Sequence, residues 1–225
     1  MDGDRNDFAV NNRSTSITRA STVGALLISV FYVFGLLGCT GSEKSNFYML
    51  GSMDRFSAPI LNAESVDISI GIGPLTIPEY LNRPQIVTRS GRYEIDIAEF
   101  DRWAESLEDT IPRVLAENLS ALLSTNRVYT YPWPKKTPAY ELKIEIINFD
   151  GTIPGSVELT ARWTLIKDGM ETRINRKKYI DKKPIAGQGY SGMVSAMSLS
   201  LYDMSREIAA DIMTDVQDGI VKDTM

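Results

Sequence analysis

Between Tyr140 and Leu165 the chain carries one pattern twice. Tyr140, Leu142, Ile144 and Ile146 alternate with Glu141, Lys143 and Glu145, and Val157, Leu159, Ala161, Trp163 and Leu165 alternate with Glu158, Thr160, Arg162 and Thr164. A side-chain period of two puts each apolar set on one face of a strand and each polar set on the other. Two such runs in succession read as half-buried antiparallel strands, with one face on a core and one in water. The rest of the chain must cover that apolar face.

Two segments can do so. Tyr190, Val194, Met197, Leu201, Met204, Ile208 and Ile212 recur at steps of three and four, which predicts a helix from about Tyr190 to Val216 with Met193, Met197 and Met204 as core filler. Trp103, Leu107, Ile111, Val114, Asn118 and Leu122 recur in the same way and predict a helix over residues 98–123. Pro112 lies inside it, and an interior proline costs about 3 kcal/mol unless the helix bends, so a bend is expected near Asp109. Asp101, Glu105, Glu108 and Asp109 then fall on its solvent face. Trp103 and Trp163 read as core.

Further strands are expected at Val66, Ile68, Ile70 and Ile72, closed by Gly73-Pro74, and in a hairpin from Gln85 to Arg89 through Ser90-Gly91 to Tyr93, Ile95 and Ile97. A short strand spans Arg127 to Tyr131. Lys167-Asp168-Gly169-Met170 turns the chain into a polar strand, Glu171 to Tyr179, whose basic side chains suit an exposed edge. Together these give an α+β domain: one mainly antiparallel, mixed sheet of six or seven strands packed by two long helices.

The N-terminus is of another kind. An uncharged apolar stretch from Ala20 to Gly38 follows Arg13 and Arg19 and ends in Leu36-Leu37-Gly38-Cys39, the aliphatic, small and Cys order of a bacterial lipobox at the chain's single Cys. The alternative is an uncleaved span, which the length allows; the polar Thr40-Gly41-Ser42 run and the Cys itself favour the lipobox. Residues 1–38 are expected to be a lipoprotein signal peptide, residues 39–64 the acylated Cys, a tether and a first short strand around Phe47-Tyr48-Met49-Leu50, and residues 65–225 the domain.

Composition excludes several chemistries. With no His and one Cys in 225 residues, neither a Ser-His-Asp nor a Cys-His arrangement can form, nor a Cys cluster or His-ligated zinc. The 29 acidic against 24 basic residues lack the electrostatic footprint of a nucleic-acid partner. Gly71-Ile72-Gly73 meets Pro74 where a dinucleotide fold opens a helix, and Gly189-Tyr190-Ser191-Gly192 has no base for its Ser. No enzyme, metal or cofactor is expected beyond the covalent lipid on Cys39. Tyr131-Pro132-Trp133-Pro134 reads equally as a polyproline ligand or a stiff loop.

The lipobox, Phe47-Tyr48-Met49-Leu50, the run from Ile72 through Tyr80-Leu81-Asn82-Arg83 to Val87, Glu99-Phe100-Asp101-Arg102-Trp103, Phe149-Asp150-Gly151 and Ala161-Arg162-Trp163 stand out together. This set resembles the PqiC family, auxiliary lipoproteins of ABC-type and MCE-type transport systems in Gram-negative envelopes. The resemblance implies a lipid-anchored protein on the periplasmic face of the outer membrane, a sorting to which Thr40 after Cys39 conforms. It also implies a non-enzymatic partner of a periplasmic MCE-domain protein in lipid transport or membrane integrity. The rival reading is a periplasmic lipid-binding carrier, with a cavity between the sheet and the helices. Self-association is left open. Tyr80, Leu81 and Arg83 are expected in the partner-binding loop, because Pro78 and Pro84 stiffen the backbone and Tyr and Arg dominate interface hot spots. Against that, Leu81 could plug the sheet and Arg83 could pair with Glu99.

Overall fold

In chain order the elements are β1 (Asn46–Tyr48), β2 (Ile70–Thr76), a 3-10 turn (Glu79–Leu81), β3 (Gln85–Arg89), β4 (Ile95–Trp103), α1 (Leu107–Leu122), β5 (Val128–Thr130), β6 (Tyr140–Gly151), β7 (Ser156–Lys167), β8 (Arg173–Pro184) and α2 (Gly189–Asp223). This computed structural model describes residues 43–52, 68–133, 137–167 and 173–223. The signal segment, Cys39, Val66 and the turn at residues 168–170 lie outside the described residues.

The α+β class holds, but the single sheet does not. The strands form a five-stranded sheet ordered β5-β2-β6-β7-β8 and a three-stranded sheet ordered β1-β4-β3. The division arises from β2, which leaves the neighbouring hairpin and inserts between β5 and β6, parallel to both. Parallel partners need a long crossover, so this pairing joins segments far apart in sequence and leaves no local mark. β6 and β7 pair antiparallel from Tyr140↔Lys167 to Gly151↔Val157, and their alternation is as expected. Nor does Gly73-Pro74 close β2: pairing with β6 shifts register after Ile72 and resumes at Leu75↔Ile144. Gly73 has φ +128°, and a Cβ there would lie 2.6 Å from Tyr131 Cβ, so only glycine fits.

The first helix also begins later than its apolar spacing suggests. Residues 98–103 belong to β4, and α1 starts at Leu107 behind Ser106, whose Oγ accepts from Asp109 N at 3.1 Å. The break therefore falls at residues 104–106 rather than near Asp109, and Pro112 sits in the second turn, where its missing N–H leaves only the Glu108 carbonyl without its helical donor. Asp101, on β4, accepts from Tyr48 Oη at 2.8 Å instead of lining a helix. Glu105 pairs with Arg113 at 3.1 Å in the turn region, and only Glu108 and Asp109 remain as acids of α1's first turn.

Both helices cover the five-stranded sheet. Ile70, Ile72, Leu142, Leu159, Leu201 and Ile208 are fully buried, as are Met193, Met197 and Met204. Trp163 stacks at a tilt on Tyr179, ring centroids 6.0 Å apart, and Asn118 of α1 donates to Ser205 of α2 at 3.3 Å inside the helix pair. Trp103, though on a strand, is buried as expected. β8 is the sheet edge, and its basic residues reach outward and onto α2: Lys177 pairs with Asp211, and Lys183 with Asp203 at 2.6 Å.

Candidate functional site

Pro78 is extended, and the next three residues close a 3-10 turn in which Leu81 N donates to the Pro78 carbonyl at 3.0 Å. The turn places its three expected site residues differently. Leu81 is buried in the core beneath the turn. Tyr80 is half-buried, and its hydroxyl donates to Asp150 Oδ2 at 2.8 Å while lying 3.0 Å from Asn148 Oδ1. Arg83 is half-buried on the way into β3.

Asp150 is the centre of this site; the sequence singles it out only as part of Phe149-Asp150-Gly151, without a role or a partner. β6 shifts register between Ile146 and Asn148, after which Phe149, Asp150 and Gly151 are all buried in succession. The shift turns the Asp150 carboxylate, 1% exposed, toward β3, where Arg89 Nε donates to Oδ1 at 2.8 Å. Arg89 Nη2 donates to Asn148 Oδ1 at 3.0 Å, and Asn148 Nδ2 donates to the Glu158 carbonyl at 3.1 Å. Buried charges persist where they are paired and hydrogen-bonded, and this one has both. Burial, then the bond to Asp150, pushes the Tyr80 phenol well above its ordinary range, and the same carboxylate raises Arg89. The cluster locks the turn and β3 onto β6. The only trace of it in the sequence is an Asp between Phe149 and Gly151 at the end of an alternating strand.

Next to this clamp are two guanidiniums of the opposite character. Gln85 of β3 stands opposite Arg102 of β4, Arg83 lies two residues before Gln85, and the Trp103 N–H extends the ladder to the Pro84 carbonyl at 2.7 Å. Arg83 Nε and Arg102 Nε are buried and accepted by nothing. Among the described residues no ion pair reaches either guanidinium, so Arg83 does not pair with Glu99. Phe47, in register with Arg102 on β1, is 66% exposed beside them. Half-buried arginines without carboxylates are poorly served by their own chain.

Other candidates resolve as structure. Trp133 packs over Gly71 and stacks edge-on against Tyr131, centroids 5.2 Å apart, which makes this segment an interstrand loop rather than a free ligand. Gly189, at φ +57°, opens α2, and Gly192 lies against the Ala186 carbonyl, as turn glycines before a helix do. Among the described residues the apolar side chains between sheet and helices are buried against one another, and a groove of about 930 Å³ lies at their margin, between the end of α1, β8 and α2.

Comparison with known proteins agrees with this architecture. Over 178 residues the chain is 23% identical to the intermembrane transport lipoprotein PqiC of Escherichia coli, covering 79% of this chain and 91% of that one, and it matches the Shigella flexneri protein of the same name equally well. A crystal structure of a Xanthomonas campestris protein shares the fold at a TM-score of 0.64 and 13% identity, covering 77% of this chain and 99% of that one, and that of an uncharacterized protein does so at 0.62 and 21%, covering 76% and 99%. The model of the ABC-type transport auxiliary lipoprotein component matches residues 48–209, which include the Tyr80–Asp150 clamp, both unpaired arginines and most of α2, and the chain belongs to that PqiC-type family of transport auxiliary lipoproteins.

Proposed function

We propose that this chain is a non-enzymatic outer-membrane lipoprotein, held on the periplasmic face by lipid on Cys39 after removal of residues 1–38, and that it docks a periplasmic MCE-domain protein of a transport complex through the segment from Pro78 to Pro84. The carrying observation is the sealed, acceptor-free Nε of Arg83 on a turn that Tyr80 and Leu81 hold rigid. A rigid loop loses little conformational freedom on association, and a half-buried guanidinium with no carboxylate of its own chain among the described residues has its terminal nitrogens left for one brought by the partner. In this division Leu81 fixes the turn from below, Tyr80 fixes it from the side through Asp150, and Arg83 makes the directed contact. Membrane attachment comes from the acyl chains, each buried CH₂ adding about 0.8 kcal/mol.

The test has two parts. Intact mass of the membrane-extracted protein should show a chain beginning at an acylated Cys39, with the protein in the outer-membrane fraction; a chain still beginning at Met1, or one confined to the inner membrane, overturns the anchor. Capture of the MCE-domain protein from detergent-solubilised envelopes should fall on Arg83→Ala with the melting temperature unchanged. Normal capture by a folded Arg83→Ala protein overturns the docking role.

A further inference from the structure

The helices occupy one face of the five-stranded sheet, and register fixes what points out of the other. Lys143 stands opposite Thr164, Glu145 opposite Arg162, Asn148 opposite Thr160 and Asp150 opposite Glu158. Directly opposed residues share a face. The clamp at Asn148 and Asp150 and the side chains of Lys143 and Arg162 are therefore on the same side of the sheet, with the turn at residues 78–84 held over one end of it. Pro74 and Thr76, just ahead of Pro78 in the chain, belong to the open part, where they line a depression of about 240 Å³ with Lys143, Arg162, Thr164 and Arg176.

This open part is basic, although the chain as a whole carries a net charge of −5. On β8, Arg176 stands opposite Thr164, and Lys178 opposite Arg162. Arg162 is neutralised by Glu145 at 3.1 Å and Lys182 by Glu158 at 2.6 Å. Lys143, Arg176 and Lys178 are exposed and form no ion pair among the described residues, and Glu141 is the one carboxylate of these strands' outer face, among the described residues, left to offset them. Protection of a sheet edge accounts for basic side chains on β8 but not for Lys143, which sits on the central strand β6.

We propose that the docking surface continues from the turn across this part of the sheet, and that the partner covers it with carboxylates. The inference rests on the docking role of residues 78–84 and names the chemistry of what docks there, an acidic protein surface. A flat bilayer does not fit. Arg89 and Tyr80 fasten β3 and the turn onto this face, and packed sheet layers stand about 10 Å apart, so the cations lie at the foot of a step that a protein surface can follow. Exposed charges of this kind act mainly on the rate of encounter and on its salt dependence.

Two measurements on the full-length protein test this. A photo-crosslinking amino acid placed in cells at Thr164, between Lys143 and Arg176, should link the MCE-domain protein, and the same group at the exposed Asn82 reports on the turn itself. In titrations with the purified partner, Arg176→Glu should weaken association about tenfold at about 0.05 M salt and only about twofold at about 0.5 M, with melting unchanged. Arg206→Glu, the same change of charge on the helix side, should leave association as it is. A link to the MCE-domain protein from Asn82 without one from Thr164 overturns this inference and leaves the docking turn standing; a link from Thr164 without one from Asn82 overturns the turn and keeps the acidic contact on the sheet. Adducts at Thr164 confined to lipid or to a second copy of this chain, equal losses with Arg176→Glu and Arg206→Glu, or a loss that salt does not reduce also overturn it.

Discussion

The hydroxyl of Tyr80 lies 2.8 Å from Oδ2 of Asp150, across 70 positions of sequence, and through this bond the proline-framed turn is fastened to the five-stranded sheet. Removing the acid leaves Arg89 facing a buried gap. Asp150→Ala should therefore lower stability by about 2–3 kcal/mol, the partly exposed Arg89 keeping some of its water, and Tyr80→Phe, which removes one donor, by about 1 kcal/mol. Urea unfolding of the two variants measures both; equal costs would show that Arg89 finds another partner.

Arg83 should behave in the opposite way. Its Nε has no acceptor to lose, so Arg83→Ala should change stability by less than about 0.5 kcal/mol while weakening association with the MCE-domain protein by about tenfold or more. Thermal melting beside titration of the purified partner separates the two effects. Arg102→Ala, opposite Gln85, should reproduce the pattern if the two guanidiniums share one acidic contact.

Stability should fall at alkaline pH. Burial and the bond to Asp215 at 2.8 Å push the Tyr140 phenol up to about 12 from an ordinary value of 10.0. A phenol whose folded value is raised contributes stability that is complete below pH 10 and is lost as pH rises to about 12, on the order of 2 kcal/mol for this group. Tyr48, Tyr80, Tyr179 and Tyr190 shift in the same direction. Denaturation midpoints between pH 9 and 12 should drop steeply in the native protein and less steeply in Tyr140→Phe.

Trp163→Ala and Trp103→Ala should each cost about 3–5 kcal/mol, the former at the upper end because its ring is 1% exposed and packs on Tyr179. Near-ultraviolet circular dichroism and melting measure the loss. A well-folded Trp103→Ala protein impaired only in partner binding would place that ring at the interface instead.

Which parts of this fold could be read in advance follows from how far each interaction reaches. β6, β7 and α2 were legible because a period of two or 3.6 is set by neighbours in the chain. The start of α1 was not: Trp103 and Leu107 stand four apart, as on one helix face, yet they reach the core from a strand and a helix with a capped turn between them. The two-sheet division depends on β2 choosing distant parallel partners, and no local spacing records that choice. For the same reason the turn carrying Tyr80 and Arg83 was visible through its prolines, whereas the meeting of Asp150, noticed only within Phe149-Asp150-Gly151, with Tyr80 and Arg89 was not. Their meeting depends on a register shift in β6.

β1 is three residues long, runs parallel to β4, and pairs Asn46 with Asp101 and Tyr48 with Trp103. Any tension entering this body from the chain before Lys44 arrives along that strand. A pull along the axis of β1 would load its ladder bonds to β4 in shear, together, instead of one at a time. Behind them, Asn46 and Tyr48 both hold the Asp101 carboxylate, Leu50 is sunk in the core, and Gly51 N–H donates to Ser198 of α2 at 3.2 Å. A strand of three residues is thus tied both to β4 and, through Gly51, to the long helix, so a load on it is shared between the two.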